Sequence, residues 1–491
     1  MLRGCVLVLG GVLGASGALH AQARAASGTF GAATITPEDF RRRIWVLAHD
    51  SMRGRDTPSP ELVETAEYVA REFRSFGVKP GAGDGYLQRF PLTAVRPGAR
   101  EAQRLRLRGP NGEFTLRAGD DFVPGQGVGV AEGSGPLIGV SATGGLDAAT
   151  GKIAVLNVGR GGLFRSFQNL GEALRRHRPA GLILVLDVED QFFRQVGAFL
   201  STSRVTLGEP AEPGPPVVFA RRSAVPAALR GSDAPPDLSG WTGELRTESA
   251  VERAEGLNTI GVLEGSDPNL RNEYVIFTAH MDHEGVGRPD ASGDSIYNGA
   301  DDDASGTATV VELAQAFASL PTPPRRSLIF MTVSGEEKGL LGSRWYSEHP
   351  AFPLERTVAN INIDMVGRNW RDTIVAIGKE ESTLGAVAER VAAEHPELDM
   401  AVIDDLWPNE RFYFRSDHYN FARKGVPILF FFNGTHEDYH RPSDEPDRIE
   451  YEKISRIGKL LFYLGLEIAN ADARPEWTPE AYRRVVEGAG E

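Results

Sequence analysis

Histidine and carboxylate side chains stand at the ends of apolar, strand-like runs in the second half of the sequence. Five of them could hold metal ions, in the chain order His280, Asp302, Glu337, Asp364 and His440. Imidazole nitrogen and carboxylate oxygen are the ligands that zinc takes in proteins when thiolates are absent. Glu336 and Glu337 stand side by side, so one glutamate stays spare beside the predicted metals, and a carboxylate in that position is suited to act as a general base.

The spacing of the five candidates excludes a site built on one helix. Successive candidates are separated by 22, 35, 27 and 76 residues, so their side chains must converge from separate loops. Two divalent metals held about 3.5–4 Å apart need one carboxylate that bridges them. The set contains enough groups for two ions together with such a bridge.

The elements that must position these residues alternate between strand and helix. Apolar runs typical of buried strands occur at 274–279, 328–333, 358–363 and 426–432, and a helix is predicted to start at Ser305. This alternation predicts an α/β fold with a mixed sheet flanked by helices. In such sheets ligands bind at the carboxyl ends of the strands, which is where the candidate residues stand.

The first 23 residues are typical of a secretory signal. Arg3 supplies a positive start, residues 6–19 are apolar, and Ala21-Gln22-Ala23 resembles a cleavage site. We therefore expect cleavage after Ala23 and a secreted or periplasmic protein, with an uncleaved anchor as the alternative. The only cysteine, Cys5, lies in this segment, so the mature chain is expected to contain no disulfide.

Composition places the rest of the chain among globular proteins of more than one domain. The full sequence has 491 residues, of which 41% are hydrophobic and 24% charged. The net charge of −14 argues against a nucleic-acid partner. No later run is long enough to cross a membrane, so no stable membrane partner is expected, and the oligomeric state is left open.

Shifts in composition predict the domain boundaries. We expect a signal at 1–23, a flexible N-terminus at 24–36, the first part of the main domain at 37–127, a smaller β-rich inserted domain at 128–247, the rest of the main domain at 248–470 and a polar C-terminal tail at 471–491. The inserted domain contains none of the candidate ligands, so we expect it to contribute shape or access to the site.

The candidates and their neighbours resemble the M28 family of zinc aminopeptidases. The resemblance covers six segments, namely His280–His283, Tyr297–Gly306, Ser334–Ser343, Asn360–Gly367, Ser416–His418 and Asp438–Asp444. It spans roughly residues 250–470 and implies the zinc exopeptidase fold, which is phosphorylase/hydrolase-like, with two Zn²⁺ per chain. By position and strand pattern, the inserted domain resembles a protease-associated domain.

The same resemblance implies a division of the ligands between the two metals. One zinc would be held by His280, Asp364 and a shared Asp302. The other would be held by Asp302, Glu337 and His440.

The resemblance also implies roles for residues beside the metals. Glu336 would be the general base, and Tyr439 would donate a hydrogen bond to the developing oxyanion. Asp282 would orient the imidazole of His280. The peptide bond between Asp302 and Asp303 would be cis.

The activity implied is hydrolysis of N-terminal residues from peptides with a free N-terminus. A carboxypeptidase or dipeptidase of the same family is an alternative, which needs a cationic pocket that Arg411, Arg415 or Arg441 could supply. Acyl transfer, as in glutaminyl cyclases, is less favoured because those enzymes use one zinc. From a different class, an inactive receptor-like binding protein is disfavoured because the chain retains every ligand and the base.

Other residues in these segments receive weaker assignments. Arg415 and Trp407 are expected to line the pocket, and Asp417 and His418 receive no role. Structural roles are expected for five residues, His283, His349, His395, His436 and Lys338. Asp301 to Asp303 also suit the N-terminus of the helix that starts at Ser305, because carboxylates stabilise its positive end.

Overall fold

A computed structural model describes residues 30–141, 145–159, 170–231 and 235–488. These residues divide into two compact units. Residues 30–90 and 255–488 form the first unit, and Pro91–Ala254 form the inserted unit. The predicted signal at 1–23 lies outside the described residues. Within the described ranges, no helix combines the length and apolar character that a membrane crossing requires.

The chain contains nineteen described strands. In chain order they are β1 (Lys79–Pro80), β2 (Leu87–Pro97), β3 (Arg104–Gly109), β4 (Gly112–Leu116), β5 (Phe122–Pro124), β6 (Val130–Val140), β7 (Ile153–Gly159), β8 (Gly181–Asp187), β9 (Arg204–Leu207), β10 (Val217–Arg221), β11 (Thr242–Leu263), β12 (Tyr274–His280), β13 (Gly285–Val286), β14 (Ile296–Tyr297), β15 (Ser327–Val333), β16 (Thr357–Ile363), β17 (Thr373–Ile377), β18 (Ala401–Ile403) and β19 (Ile428–Phe431).

The principal α-helices follow the same order. They are α1 (Pro37–Leu47), α2 (Pro60–Ser75), α3 (Leu170–His177), α4 (Asp190–Leu200), α5 (Gly306–Ala318), α6 (Leu341–Glu348), α7 (Leu384–Glu394), α8 (His418–Ala422), α9 (Tyr451–Asn470) and α10 (Pro479–Tyr482). Side-chain caps begin the first two, because Thr36 accepts a hydrogen bond from the N–H of Asp39 and Ser59 accepts one from that of Leu62.

The first unit is built on a mixed sheet. Its strand order is β1-β11-β15-β12-β16-β19-β17-β18, and the four central strands β15, β12, β16 and β19 run parallel to one another. These central strands are almost fully buried, as expected where helices cover both faces of a parallel sheet. The predicted α/β fold with a mixed sheet is confirmed.

One face of this sheet carries an aromatic core under α5 and α9. Phe277 of β12 is fully buried and stacks on Phe330 of β15 at a centroid distance of 5.7 Å. Phe317 of α5 lies 5.8 Å from the Phe277 ring. A Cβ at Gly465 of α9 would stand only 2.4 Å from Phe277 Cζ, so the absent side chain lets this helix approach the sheet closely.

The inserted unit begins earlier than the predicted position 128. Residues 91–127, which we expected in the main domain, belong to it because β3 pairs with β4 and with residues 242–246 of β11, while β5 pairs with β10. Its parallel strands β6, β7, β8 and β10 lie next to one another in that order. Residues 242–246, which pair with β3, lie more than 130 residues after it in the chain, which explains why local composition misplaced this boundary.

Two predicted terminal segments are also more ordered than expected. Residues 30–36, within the predicted flexible N-terminus at 24–36, contribute Ala32 and Ile35 to the buried core, while 24–29 lie outside the described residues. In the predicted tail at 471–491, Ala481 and Val485 are buried and Trp477 Nε1 donates a hydrogen bond to the Gly425 carbonyl at 2.9 Å. Apolar side chains spaced four residues apart on a short helical segment account for this packing.

The aromatic core makes a testable contribution to stability. Phe277→Ala should lower the unfolding free energy of the metal-free protein by about 3–5 kcal/mol, because a large buried ring leaves a cavity. Phe30→Ala is a matched control, since Phe30 is 58% exposed. Urea denaturation of both variants checks the difference, and equal midpoints would contradict the packing described for Phe277.

Candidate metal centre

The parallel strands bring the predicted ligands to one edge of the sheet. His280 is the last residue of β12, Glu336 and Glu337 follow β15, and Asp364 follows β16. His440 lies in the loop after β19. These five residues line one small cavity, and Asp302, the remaining predicted ligand, lines it as well. The structure therefore brings together every residue that the sequence predicted to bind metal.

Asp302 lies in an irregular segment, residues 300–305, immediately before α5. The peptide bond between Asp302 and Asp303 is cis, as the resemblance implied. The Asp303 carboxylate accepts hydrogen bonds from the N–H groups of Gly306 at 2.8 Å and Met365 at 3.1 Å. The N–H of Asp302 donates to Asp444 Oδ2 at 3.1 Å. These bonds fix the main chain that presents the Asp302 side chain.

The two oxygens of Asp302 face two separate groups of ligands. Asp302 Oδ1 lies 3.3 Å from His280 Nε2, which also lies 3.6 Å from Asp364 Oδ1. Asp302 Oδ2 lies 3.1 Å from His440 Nε2, which also lies 3.3 Å from Glu337 Oε2. Ligand atoms around a tetrahedral zinc with bonds near 2.0–2.1 Å stand about 3.3 Å apart. The four distances from His280 Nε2 and His440 Nε2, 3.1–3.6 Å, are close to that separation.

The polar atoms of the cavity also fit a bound cation. Asp302 Oδ2 and Glu337 Oε1 are buried, and their contacts with His440 Nε2 at 3.1 Å and His283 Nδ1 at 2.8 Å lack hydrogen-bond geometry. Buried oxygens without a partner are rare in native proteins because they lose their hydration without replacement. A divalent cation between the two groups would satisfy them, so the donor set fits the zinc ions that the sequence predicts.

Glu336 is partly accessible in the wall of the cavity and belongs to neither group. Burial raises its pKa well above the usual range of a glutamate; His280 opposes the shift, whereas Glu337 and Asp417 add to it. Its main-chain N–H donates to Asp282 Oδ1 at 3.3 Å. The carboxylate therefore stands beside the predicted metals with its main chain held in place.

Asp282 acts differently from the expectation. His280 Nδ1 is 3.1 Å from the main-chain carbonyl of Asp282, whereas the carboxylate is 3.8 Å away. The carboxylate instead accepts a hydrogen bond from Thr57 Oγ1 at 2.9 Å as well as the bond from the Glu336 N–H. The carbonyl thus orients the imidazole, and the carboxylate fixes the loop that carries Glu336.

Aromatic side chains form the rest of the cavity wall. Tyr439 stacks against the ring of His440 at 3.9 Å, and burial raises its pKa above the usual range of a tyrosine. Phe412, Phe430, Phe432, Met365 and Arg415 also line the cavity. Trp407, expected in the wall, packs behind it against Phe412 and Phe432. Beside the ligands the wall is therefore mainly aromatic, with one cationic side chain and the Ser416 hydroxyl.

Arg55 anchors the loops that carry the ligands, a role that the sequence did not indicate. Its fully buried guanidinium donates to the carbonyls of Met281, Leu47, Asn298 and Gly299 at 2.7–2.9 Å. Burial lowers its pKa to about 10, so it stays charged at neutral pH. Among the described residues no carboxylate forms an ion pair with Arg55. Its guanidinium joins the loop after β12 to the residues just before Asp302.

Four of the residues for which a structural role was expected make ring or ion-pair contacts with their neighbours. His349 stacks on Trp345 and His395 stacks on Tyr463, both away from the cavity. His436 Nε2 lies 3.2 Å from Asp301 Oδ2, and Lys338 lies 3.0 Å from Asp56. Asp417 and His418 are fully buried.

His283 is the exception among them, because it enters the ligand cluster. Its Nδ1 lies 2.8 Å from Glu337 Oε1. The sequence analysis predicted a structural role for it, although its position three residues after the predicted ligand His280 could have indicated that it lies near the metal ligands.

Comparison with known proteins agrees with this arrangement. Residues 258–465 match the sequence profile described as Peptidase family M28. Aminopeptidase YwaD of Bacillus subtilis (strain 168) is 27% identical over 230 residues, which make up 45% of this chain and 46% of that protein. A probable zinc metalloprotease of Pyrenophora tritici-repentis (strain Pt-1C-BFP) is 27% identical over 222 residues, 36% of this chain and 45% of that protein. The chain thus spans about half the length of these curated relatives.

A solved structure shares the fold. The aminopeptidase from Aneurinibacillus sp. strain AM-1 superposes with a TM-score of 0.59 at 19% identity, covering 92% of this chain and 98% of that one. This likeness confirms the predicted fold class.

The anchoring role of Arg55 leads to a prediction. Arg55→Leu should lower the unfolding free energy of the metal-free protein by at least about 2 kcal/mol, since each buried carbonyl left without a donor costs about 1–3 kcal/mol. The unfolding free energy of Arg55→Lys should lie between those of the wild type and Arg55→Leu, because one ammonium reaches fewer carbonyls than a guanidinium. Urea denaturation measures both, and a wild-type midpoint for Arg55→Leu would show that these carbonyls find other donors.

Proposed function

We propose, on the premise that residues 258–465 belong to peptidase family M28, that the chain is an exopeptidase holding two Zn²⁺ that removes N-terminal residues from peptides. One observation carries the proposal: the two oxygens of Asp302 face two separate ligand groups. His280 and Asp364 would complete one zinc position. Glu337 and His440 would complete the other.

The residues of the cavity suit hydrolysis of a peptide bond. When bound, zinc polarises the scissile carbonyl and makes water a stronger nucleophile. Glu336 takes a proton from the attacking water as the new carbon–oxygen bond forms, and passes it to the amine as the carbon–nitrogen bond breaks. Tyr439 donates a hydrogen bond to the oxygen that gains charge.

The charge of the cavity supports a preference for the N-terminus. Four carboxylates line it, Asp302, Glu336, Glu337 and Asp364. Three of them would bind metal, so the Glu336 carboxylate is the one left to attract the ammonium group of a free N-terminus, a charge that an acetylated N-terminus lacks. The apolar wall of Phe412, Phe430 and Phe432 would receive the side chain of the first residue.

A second candidate function rests on Arg415. This exposed residue lines the same cavity, and among the described residues no carboxylate lies within ion-pair distance of its guanidinium. Its guanidinium lies 4.8 Å from the ring of Phe412. A free cation beside the ligands is what a carboxypeptidase or dipeptidase needs to hold a substrate carboxylate.

Two further features belong to the proposal. The inserted unit would be a protease-associated domain, which its position between the two parts of the first unit supports. The protein would be secreted or periplasmic, which rests on the signal-like sequence of residues 1–23.

Substitution of the base gives the first test of this mechanism. Glu336→Gln should lower kcat by about 10²–10⁴-fold, the usual contribution of a general base, while metal content stays unchanged because no ligand is lost. Glu64→Gln, at an exposed site, is the matched control. Steady-state kinetics with metal analysis checks the pair, and near wild-type turnover in Glu336→Gln would refute the assigned base.

A substrate panel tests the reaction itself. The holoenzyme should cleave aminoacyl amides with a free amine, should fail on their N-acetylated forms, and should lose activity with a chelator. Cleavage restricted to peptides with a free C-terminal carboxylate would favour the carboxypeptidase or dipeptidase. Two bound zinc ions without any cleavage would exclude the aminopeptidase, and no bound zinc would favour a binding protein.

A further inference from the structure

His283 occupies a closed position beside the second group of ligands. The residue is fully buried, three positions beyond the end of β12. The main chain of Gly299 lies against its ring, since a Cβ there would stand 2.5 Å from His283 Cγ, and the φ of Gly299 is +56°. This close approach leaves the imidazole no room to turn away from the cluster.

The nitrogen that faces the cluster makes no hydrogen bond. His283 Nδ1 lies 2.8 Å from Glu337 Oε1 and 3.8 Å from Asp302 Oδ2. All three atoms are buried, and none of their contacts with the described residues has hydrogen-bond geometry. The three residues offer ligand atoms within 4.8 Å of one another, close enough to hold one ion. A proton on Nδ1 could be shared only with the nearer oxygen, that of Glu337. A cation between the three atoms could bind Nδ1 and both oxygens.

The geometry points to a role for His283 in binding metal: we propose that His283 Nδ1 is an additional ligand of the second zinc, beside Asp302, Glu337 and His440. This inference rests on the proposed pair of zinc ions. It makes the two positions unequal, because the first has one imidazole, His280, and the second has two. The ring of His440 is 34% exposed, whereas that of His283 is sealed in the core.

The unequal positions have a consequence for metal retention. A buried imidazole with a fixed ring loses little freedom when it binds, so His283 should keep the second zinc in place when His440 is absent. His440→Ala should therefore still bind two zinc ions, the second more weakly. The double variant His283→Ala/His440→Ala should bind one.

Metal titration of the full chain tests the assignment without reference to activity. Zinc competition with a chromogenic chelator should show two equivalents for the wild type. In His283→Ala the second should weaken by at least about 10–100-fold, the loss seen when even an outer partner of a metal site is removed. The first equivalent should be unchanged. His395→Ala is the matched control, since that ring stacks on Tyr463 away from the cavity.

A second variant separates a ligand from a hydrogen-bond donor. His283→Asn keeps an N–H that can reach Glu337 but removes the imidazole, so it should behave like His283→Ala. X-ray absorption of the zinc-loaded protein should detect three imidazoles for two ions in the wild type and two in both variants. Wild-type affinity in His283→Asn would overturn the ligand role, as would wild-type affinity in His283→Ala. A wild type that binds fewer than two zinc ions would instead refute the proposed function.

Discussion

The burial of several carboxylates close to one another is the constraint on which the first unit depends. Asp301, Asp303 and Asp444 are buried around Asp302, where they repel one another and have lost water. Burial raises the pKa of Asp303 well above its usual range and that of Asp444 to about 6. A fold that accepts this cost needs donors and cations at defined points, and the loops at the sheet edge are arranged to provide them.

The carboxylates divide into two kinds according to what satisfies them. Those of Asp301, Asp303 and Asp444 accept hydrogen bonds from main-chain N–H groups and so join loops: the N–H of Gly367 donates to Asp301 Oδ1 at 2.6 Å, and that of Asp301 donates to Asp444 Oδ2 at 3.0 Å. Those of Asp302 and Glu337 keep buried oxygens without a donor. The first kind builds the site, and the second kind is left for metal. Within the acidic run 301–303, structural roles therefore fall on Asp301 and Asp303, and the chemical role falls on Asp302 between them.

The two ligand groups differ in how firmly the protein holds them. A chain of buried hydrogen bonds orients Asp364, because Asn362 Nδ2 donates to Ser416 Oγ at 2.9 Å and Ser416 Oγ donates to Asp364 Oδ2 at 2.9 Å. In the other group His440 stands on a loop, with a left-handed φ of 54° and a partly exposed ring. The accessible side of the cavity is therefore that of His440 and Tyr439, while hydrogen bonds fix the Asp364 side.

The sequence alone determined the central strands and the order of the candidate ligands, since apolar runs such as 328–333 and the polar residues that follow them are local features. The tertiary structure decided what depended on partners distant in the chain. Pairing of β3 with residues 242–246 moved the start of the inserted unit to Pro91. Packing turned the Asp282 carboxylate toward the Glu336 loop and placed His283 against Glu337. Side chains at a strand end can face several neighbours, and only the packed loops select among them.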